Sequence, residues 1–274
     1  MDGESKKARL KTCLQAYDNL LVAFSGGVDS TLLLVMARQV IGGDVVALTA
    51  ESPIHPQRER QHARRLAAKL GVRHILLKSR EMFNPAFVAN GPDRCYLCKK
   101  LLFEDCFKYA RELGIAHVAH GANCDDLNDF RPGFRAAAEN GVAAPLIEAG
   151  LNKNDIRRLA KQLGLDNWNR AAGACLASRI PYGRALSKEV LAMVAAAEEM
   201  LHDQGFDACR VRHHGQVARI EVPPEDLSRL VEAPLRRKII KRLRAIGYAH
   251  VALDMEGYRQ GSLNRGLTHK GTRA

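Results

Sequence analysis

Six consecutive residues, Ser25-Gly26-Gly27-Val28-Asp29-Ser30, combine two glycines, two hydroxyls and a carboxylate. Glycines let the backbone approach a ligand closely, and the amides that open a helix point at an anion. Such a loop suits the phosphates of a nucleotide, with Ser25 and Ser30 as hydroxyl donors and Asp29 as a ligand for Mg2+. The G-x-x-x-x-G-K-[ST] pattern of kinases and GTPases is absent from the sequence. A second string, Gly121-Ala122-Asn123-Cys124-Asp125-Asp126, offers another glycine and two carboxylates for the same purpose. Asp125 and Asp126 are candidates to bind Mg2+ or to order the loop, with helix capping as the plainer role for either, and Asp125 is taken as the second Mg2+ contact. Sulfur chemistry is offered twice. Cys95 and Cys98 form a C-x-x-C pair, and Cys175 stands in the string Gly173-Ala174-Cys175-Leu176-Ala177-Ser178-Arg179. A C-x-x-C pair alone fits half a zinc site or a redox pair, and zinc would need two further Cys or His.

The elements that must position these residues alternate. Residues 20–24 form a short apolar run stopped by Gly26-Gly27, which predicts a buried strand. Further strands are expected at 45–49, 74–77 and 117–120, and helices at 5–18, 31–39, 56–70 and 99–113. Strands alternating with helices predict βαβ units, a parallel sheet and an α/β fold. Ligands of open α/β folds bind at the carboxyl edge of the strands, where both glycine-bearing strings fall. After residue 145 the pattern changes to a helix at 154–163 and a long loop at 167–183. Long loops in compact domains are usually functional or disordered. A helix at 187–203, a hairpin of 209–213 with 217–222 around Gly215, a basic helix at 225–246 and a strand at 249–254 complete the chain. The domain boundary is placed near residue 184, giving 1–184 and a smaller α+β domain, 185–274.

The 274 residues are 46% hydrophobic and 26% charged, an ordinary globular composition that excludes a disordered, collagenous or low-complexity chain. No apolar run approaches the ~20 residues that span a bilayer. Residues 1–11 are polar and charged, without the apolar core of a signal peptide. A cytoplasmic protein is expected. Seven cysteines, an odd number, argue against a disulfide framework, and Cys13, Cys106 and Cys209 fall in patterns that read as packing. The net charge of +12 favours phosphorylated or polyanionic ligands. Residues 236–244 look like an RNA stripe, yet Leu235, Ile239, Leu243 and Ile246 recur at helical spacing, so the charges are read as a solvent face. His213-His214 are not read as a metal pair, because neighbours on a strand face opposite ways.

The first string resembles the SGGxDS loop of the N-type ATP pyrophosphatases, the PP-loop superfamily. That resemblance implies a loop gripping the pyrophosphate of ATP while a substrate oxygen attacks the α-phosphate, with Ser25, Gly26, Gly27, Asp29, Ser30, Gly121 and Asp125 at the nucleotide and Thr49 near the adenine. Within the superfamily, residues 172–183 resemble the A-C-L-A-S-R-x-P-Y-G segment of the pyridinium-3,5-biscarboxylic acid mononucleotide sulfurtransferases, the LarE family. The similarity extends through 121–133, 211–215, 218–222 and 254–264, so it touches both domains.

Membership would imply adenylation of a substrate carboxylate, release of pyrophosphate, and displacement of AMP by sulfur. A second round gives the dithiocarboxylate that becomes a nickel-pincer cofactor. In one branch of the family the cysteine at position 175 is sacrificed; in another, three cysteines hold a 4Fe–4S cluster that delivers sulfide. Cys95, Cys98 and Cys175 resemble the second branch. The mononucleotide carries phosphate and carboxylates, which suit bidentate arginine. Ser178, Arg179, Arg210, Arg212 and Arg259 occupy motif positions and are the candidates, with Glu221 holding one arginine in place. A homo-oligomer and a sulfide donor are implied, and nucleic acid is not. The rival readings are a tRNA thiolase with a three-cysteine cluster and a non-catalytic nucleotide-binding protein.

Overall fold

A computed structural model describes residues 3–128, 132–170, 173 and 175–259. Of the strings singled out above, residues 129–131, Ala172, Ala174 and 260–264 lie outside the described residues. The chain divides into two compact units, one of Met1–Phe87 with Gly91–Gly173, the other of Val88–Asn90 with the chain from Ala174 onward.

The first unit runs α1 (Gly3–Leu14), β1 (Leu20–Ala23), α2 (Val28–Ile41), β2 (Val45–Glu51), α3 (Gln57–Lys69), β3 (Arg73–Lys78), α4 (Pro85–Val88), α5 (Arg94–Glu112), β4 (Val118–His120), α6 (Pro132–Glu139), α7 (Pro145–Glu148) and α8 (Lys153–Gln162). The four strands are all parallel, in the order β3-β2-β1-β4. Leu20, Leu21 and Val22 are fully buried, as a strand covered on both faces requires. One core cluster joins Leu20 and Val22 to α1, α2 and α8, and another joins Leu21 and Val118 to α5 and α6. The periodicity of α3 holds, with Ala63, Leu66 and Ala67 buried. The order reverses beside β1, so the carboxyl ends of β1 and β4 flank the crevice where α/β folds take their ligands.

The second unit contains α9 (Lys188–Asp203), the antiparallel pair β5 (Arg210–His214) and β6 (Val217–Glu221), α10 (Leu227–Val231), α11 (Ala233–Ile246) and β7 (His250–Leu253), which pairs parallel to β6. Ser187 caps α9 by accepting from the Val190 amide at 3.1 Å. Gly215, at φ +68°, closes the β5–β6 hairpin. His213 is buried against Tyr248 and His214 is exposed, as alternation on a strand requires.

Two of the expected helices differ from the sequence pattern, and α4, α6 and α7 fall where the pattern predicts no element. The expected single helix at 225–246 is two helices, because Glu232 is extended (φ −55°, ψ 132°) and Pro234 belongs in the first turn of a new one. Ile239 and Leu243 of α11 are buried while its arginines and lysines are exposed, in line with a solvent face. The helix expected from residue 99 starts at Arg94, so Cys95 and Cys98 occupy its first turn. Cys106 and Cys209 are buried packing residues. Among the described residues no helix is long and apolar enough to cross a membrane.

Candidate active site

β1 ends at Ala23 and α2 starts at Val28, so the glycine-bearing string is the turn between them. Gly26 has φ +75°, and a Cβ there would stand 3.0 Å from the Ala63 Cα, so the turn excludes side chains for two reasons. The hydroxyls knit the turn together. Ser30 Oγ accepts from the Ser25 amide at 3.3 Å and donates to the Gly27 carbonyl at 3.1 Å. Thr31 Oγ1 donates to the same carbonyl at 2.8 Å. Asn167, which is buried, reaches in with Nδ2 to the Gly26 carbonyl at 3.0 Å and to Thr31 Oγ1 at 2.9 Å. The second string arrives at the end of β4. A Cβ on Gly121 would lie 2.7 Å from the Ser30 amide nitrogen, closer than real contacts allow, so only glycine lets the two strings meet.

A cavity of about 360 Å3 opens over this junction, walled by Ser25, Gly27, Asp29, Ser30, Gly121 and Asp126 among others. Three cations face it, Lys99, Lys153 and Arg170. Lys153 Nζ bonds Asp29 Oδ2 at 2.6 Å, and Arg170 bonds Glu59 at 2.7 Å. Cations suit a polyphosphate and the acids suit its Mg2+. His120 lies on the wall between the Phe103 and Phe134 rings. Burial, and after it the charge of Lys99, pushes its pKa down to about 4, so it is a neutral imidazole at pH 7.

Two expected nucleotide contacts are differently placed. Asp126 rather than Asp125 faces the cavity; Asp125 is exposed, and its Oδ2 accepts from the Lys153 amide at the start of α8. Residues 124–128 form a 3-10 turn, which points consecutive side chains about 120° apart and separates the two carboxylates. Thr49 is buried, donating to the Phe24 carbonyl at 2.6 Å and bonding His74 Nε2 at 2.8 Å, and does not line the cavity. Lys99, Lys153, Arg170 and Asn167 were not singled out by sequence reasoning. The signal available for Lys153 was the Asn152-x-x-Asp155 capping box, which fixes where α8 starts.

The Cys175 loop belongs to the second unit. Leu176–Arg179 is a single 3-10 turn, and Ser178 Oγ donates to the Cys175 carbonyl at 2.7 Å. Arg179 is 2% exposed and forms two hydrogen bonds to Glu198, at 2.7 and 2.9 Å, while its Nη1 reaches Ser178 Oγ and the Cys175 carbonyl. Arg212 is likewise bidentate to Glu221, at 2.9 and 2.8 Å, and donates to the Ser178 carbonyl at 2.8 Å. These two arginines bind the loop that carries Cys175, each with its charge already matched. Arg210 makes no ion pair among the described residues; its guanidinium lies 5.0 Å from the Tyr258 ring, and burial, then Arg179, lowers its pKa. Arg259 is exposed, 3.8 Å from Glu256. Arg210 and Arg259 are thus the motif arginines whose charge is least committed.

The asparagine synthase family matches residues 7–89, the part of the sheet that includes the glycine turn. Over 265 residues the chain is 38% identical to a pyridinium-3,5-bisthiocarboxylic acid mononucleotide synthase of Lactiplantibacillus plantarum, covering 96% of this chain and 95% of that one. The chain belongs to this synthase family. It is therefore a PP-loop sulfurtransferase that uses ATP. An uncharacterised protein of Synechocystis sp. is 40% identical over 97% of this chain and 99% of its own. A tRNA-specific 2-thiouridylase of Rickettsia felis is 28% identical over 54% of this chain and 50% of its own.

Cys95 is exposed and Cys98 half-buried, and their i, i+3 spacing on α5 puts both thiols on one helical face. That pair fits two ligands of a cluster. Among the described residues no group of three or more Cys, His, Asp or Glu is placed to hold a metal ion.

Proposed function

We propose that the chain uses MgATP to adenylate the carboxylates of pyridinium-3,5-biscarboxylic acid mononucleotide and exchanges AMP for sulfur, yielding the thiocarboxylate precursor of a nickel-pincer cofactor. The observation that carries the reading is the likeness to the Lactiplantibacillus synthase, which runs through both units and includes the Cys175 loop. A carboxylate is a poor electrophile, and adenylation gives it AMP as a leaving group. The turn amides of 25–30, with Ser25 and Ser30, hold the pyrophosphate at the opening of α2. Lys153 and Asp29 are matched to MgATP, the ammonium to a phosphate oxygen and the carboxylate to the metal, which neutralises developing charge. Asp126 replaces Asp125 as the nearer second carboxylate. Arg210 and Arg259 are assigned to the substrate anions, and Arg179 and Arg212, with Ser178 and Glu221, to holding the loop.

Cys175 is assigned the sulfur step. A cluster on Cys95, Cys98 and Cys175 would supply a transferable sulfide and be reloaded by a sulfide donor; alternatively, the Cys175 sulfur itself is given up. Iron and acid-labile sulfide analysis of anaerobically purified protein distinguishes the two, together with the mass of the Cys175 peptide after turnover. We place the enzyme in the cytoplasm as a homo-oligomer. The deciding assay is pyrophosphate release with ATP and Mg2+, offering the pyridinium nucleotide in one reaction and unmodified bulk tRNA in another. Release that depends on the pyridinium nucleotide supports the proposal, and release that depends on tRNA replaces it with the thiolase reading.

A further inference from the structure

Residues 88–90 precede the C-x-x-C helix in sequence, yet they belong to the second unit. Asn90 is fully buried and is the one non-glycine residue with positive φ among the described residues, at +58°. A left-handed backbone is unfavourable for an ordinary residue, and asparagine is among the few that tolerate it. Its Nδ2 donates to the Pro181 carbonyl at 2.9 Å and the Arg184 carbonyl at 3.0 Å, with the Ile180 carbonyl at 3.4 Å. Its own backbone carbonyl accepts from the Gly183 amide at 3.0 Å, and two residues earlier the Val88 carbonyl accepts from Leu186 at 2.8 Å. Residues 180–186 lie in neither helix nor strand, so no regular ladder serves these carbonyls; the Pro181 oxygen also accepts from the Arg184 amide at 3.2 Å. Three oxygens converge on one NH2 group. Aspartate presents no donor to them, alanine presents nothing, and glycine satisfies the backbone conformation alone.

We propose that Asn90 is a positioning residue for sulfur transfer. Its side-chain amide fixes the C-terminal side of the Cys175 loop, as Arg179 and Arg212 fix the N-terminal side through the Cys175 and Ser178 carbonyls. The orientation of the Cys175 thiol is then set from both ends of the 175–184 segment. This inference rests on Cys175 being the residue of sulfur delivery.

The test compares Asn90→Gly, Asn90→Ala and Asn90→Asp with wild type in the full chain. Three quantities are read: MgATP affinity, single-turnover formation of thiocarboxylate, and the iodoacetamide alkylation rate of Cys175 relative to Cys95 by peptide mass spectrometry. The expected result is MgATP affinity within about twofold of wild type and thiocarboxylate formation slowed at least tenfold in all three variants, with the Cys175/Cys95 alkylation ratio altered at least threefold. Asn90→Gly is decisive, because it keeps the left-handed turn and removes only the amide. Wild-type transfer and an unchanged alkylation ratio in Asn90→Gly would overturn the proposal. Should Asn90→Asp fail to fold, Asn90→Gly carries the test. Full transfer by Cys175→Ala would instead remove the assignment of Cys175, and the alkylation ratio would still report whether Asn90 sets the loop.

Discussion

The nucleotide turn and the Cys175 loop are both irregular backbone pinned by buried side chains, and they are pinned by different chemistry. In the first unit the pins are neutral, being Ser30, Thr31 and the Asn167 amide. The charges around that turn, Lys153, Asp29 and Arg170, sit on the cavity wall. In the second unit the pins are themselves charged, and Arg179 with Glu198 and Arg212 with Glu221 form bidentate pairs, all four residues buried. A neutral pin has no charge to desolvate, and the charges on the cavity wall are paired with one another, Lys153 with Asp29 and Arg170 with Glu59. A buried ion pair gains less than its geometry suggests, yet is costly to break from one side. The nucleotide turn is therefore expected to tolerate loss of a pin, and the Cys175 loop to fail when a pin loses its partner.

Five substitutions or conditions press on that contrast. Cys175→Ala should abolish thiocarboxylate formation, by about a thousandfold or more if the residue is a covalent participant, with MgATP affinity retained in a binding titration. Unchanged product would sink the assignment of the loop to sulfur chemistry. Asp29→Ala should slow pyrophosphate release by roughly a hundredfold, in line with loss of a metal and charge contact worth several kcal/mol; a normal rate in a stopped assay would take Asp29 out of the nucleotide site. Glu198→Gln strands the Arg179 charge and should lower stability by about 3–5 kcal/mol in denaturant titration, whereas a loss under ~1 kcal/mol would show that the pair is not a pin. Asn167→Ala removes a neutral pin and should cost only ~1–3 kcal/mol, raising the KM for ATP while sparing the transfer step in single turnover. A smaller Glu198 effect than Asn167 effect would invert the comparison.

The mildest test is pH. Because folding lowers the His120 pKa to about 4 from its usual 6.5, the unfolded chain binds more protons between those values. His120 thus stabilises nothing at low pH; stability should fall as pH drops from about 6.5 towards 4 and be flat above. His55, His62, His74, His213 and His214 are also held low by burial, so His120→Asn should reduce that slope in thermal unfolding scans without abolishing it, and an undiminished slope would assign it to those other groups.

Much of this is legible in the sequence. The parallel sheet followed from short apolar runs alternating with amphipathic segments, because both faces of such strands are buried. The glycine turn followed from residue types alone, since positive φ at Gly26 and the close approach at Gly121 leave no other choice. What escaped is what depends on rotation within a turn or on partners distant in sequence. Asp125 and Asp126 are adjacent letters whose side chains diverge on a 3-10 turn. Lys153 stands 124 residues from Asp29 and Asn167 stands 141 residues from Gly26, so no local pattern joins them. Arginines that bind a ligand and arginines that bind a carboxylate of their own chain look the same in a sequence, and Arg179 and Arg210 were separable only once Glu198 was in view.

The excursion of residues 88–90 carries one more consequence, for anyone who would cut the molecule. The two units are joined by three covalent crossings, at 87/88, 90/91 and 173/174, instead of one linker. A protease nick near 174 would leave the halves threaded through the middle of the chain. A fragment ending there would keep Asn90 and lose the carbonyls it serves, and one starting there would keep the carbonyls and lose their donor. Neither half is a natural expression unit, and a split version of this enzyme would have to carry residues 88–90 twice.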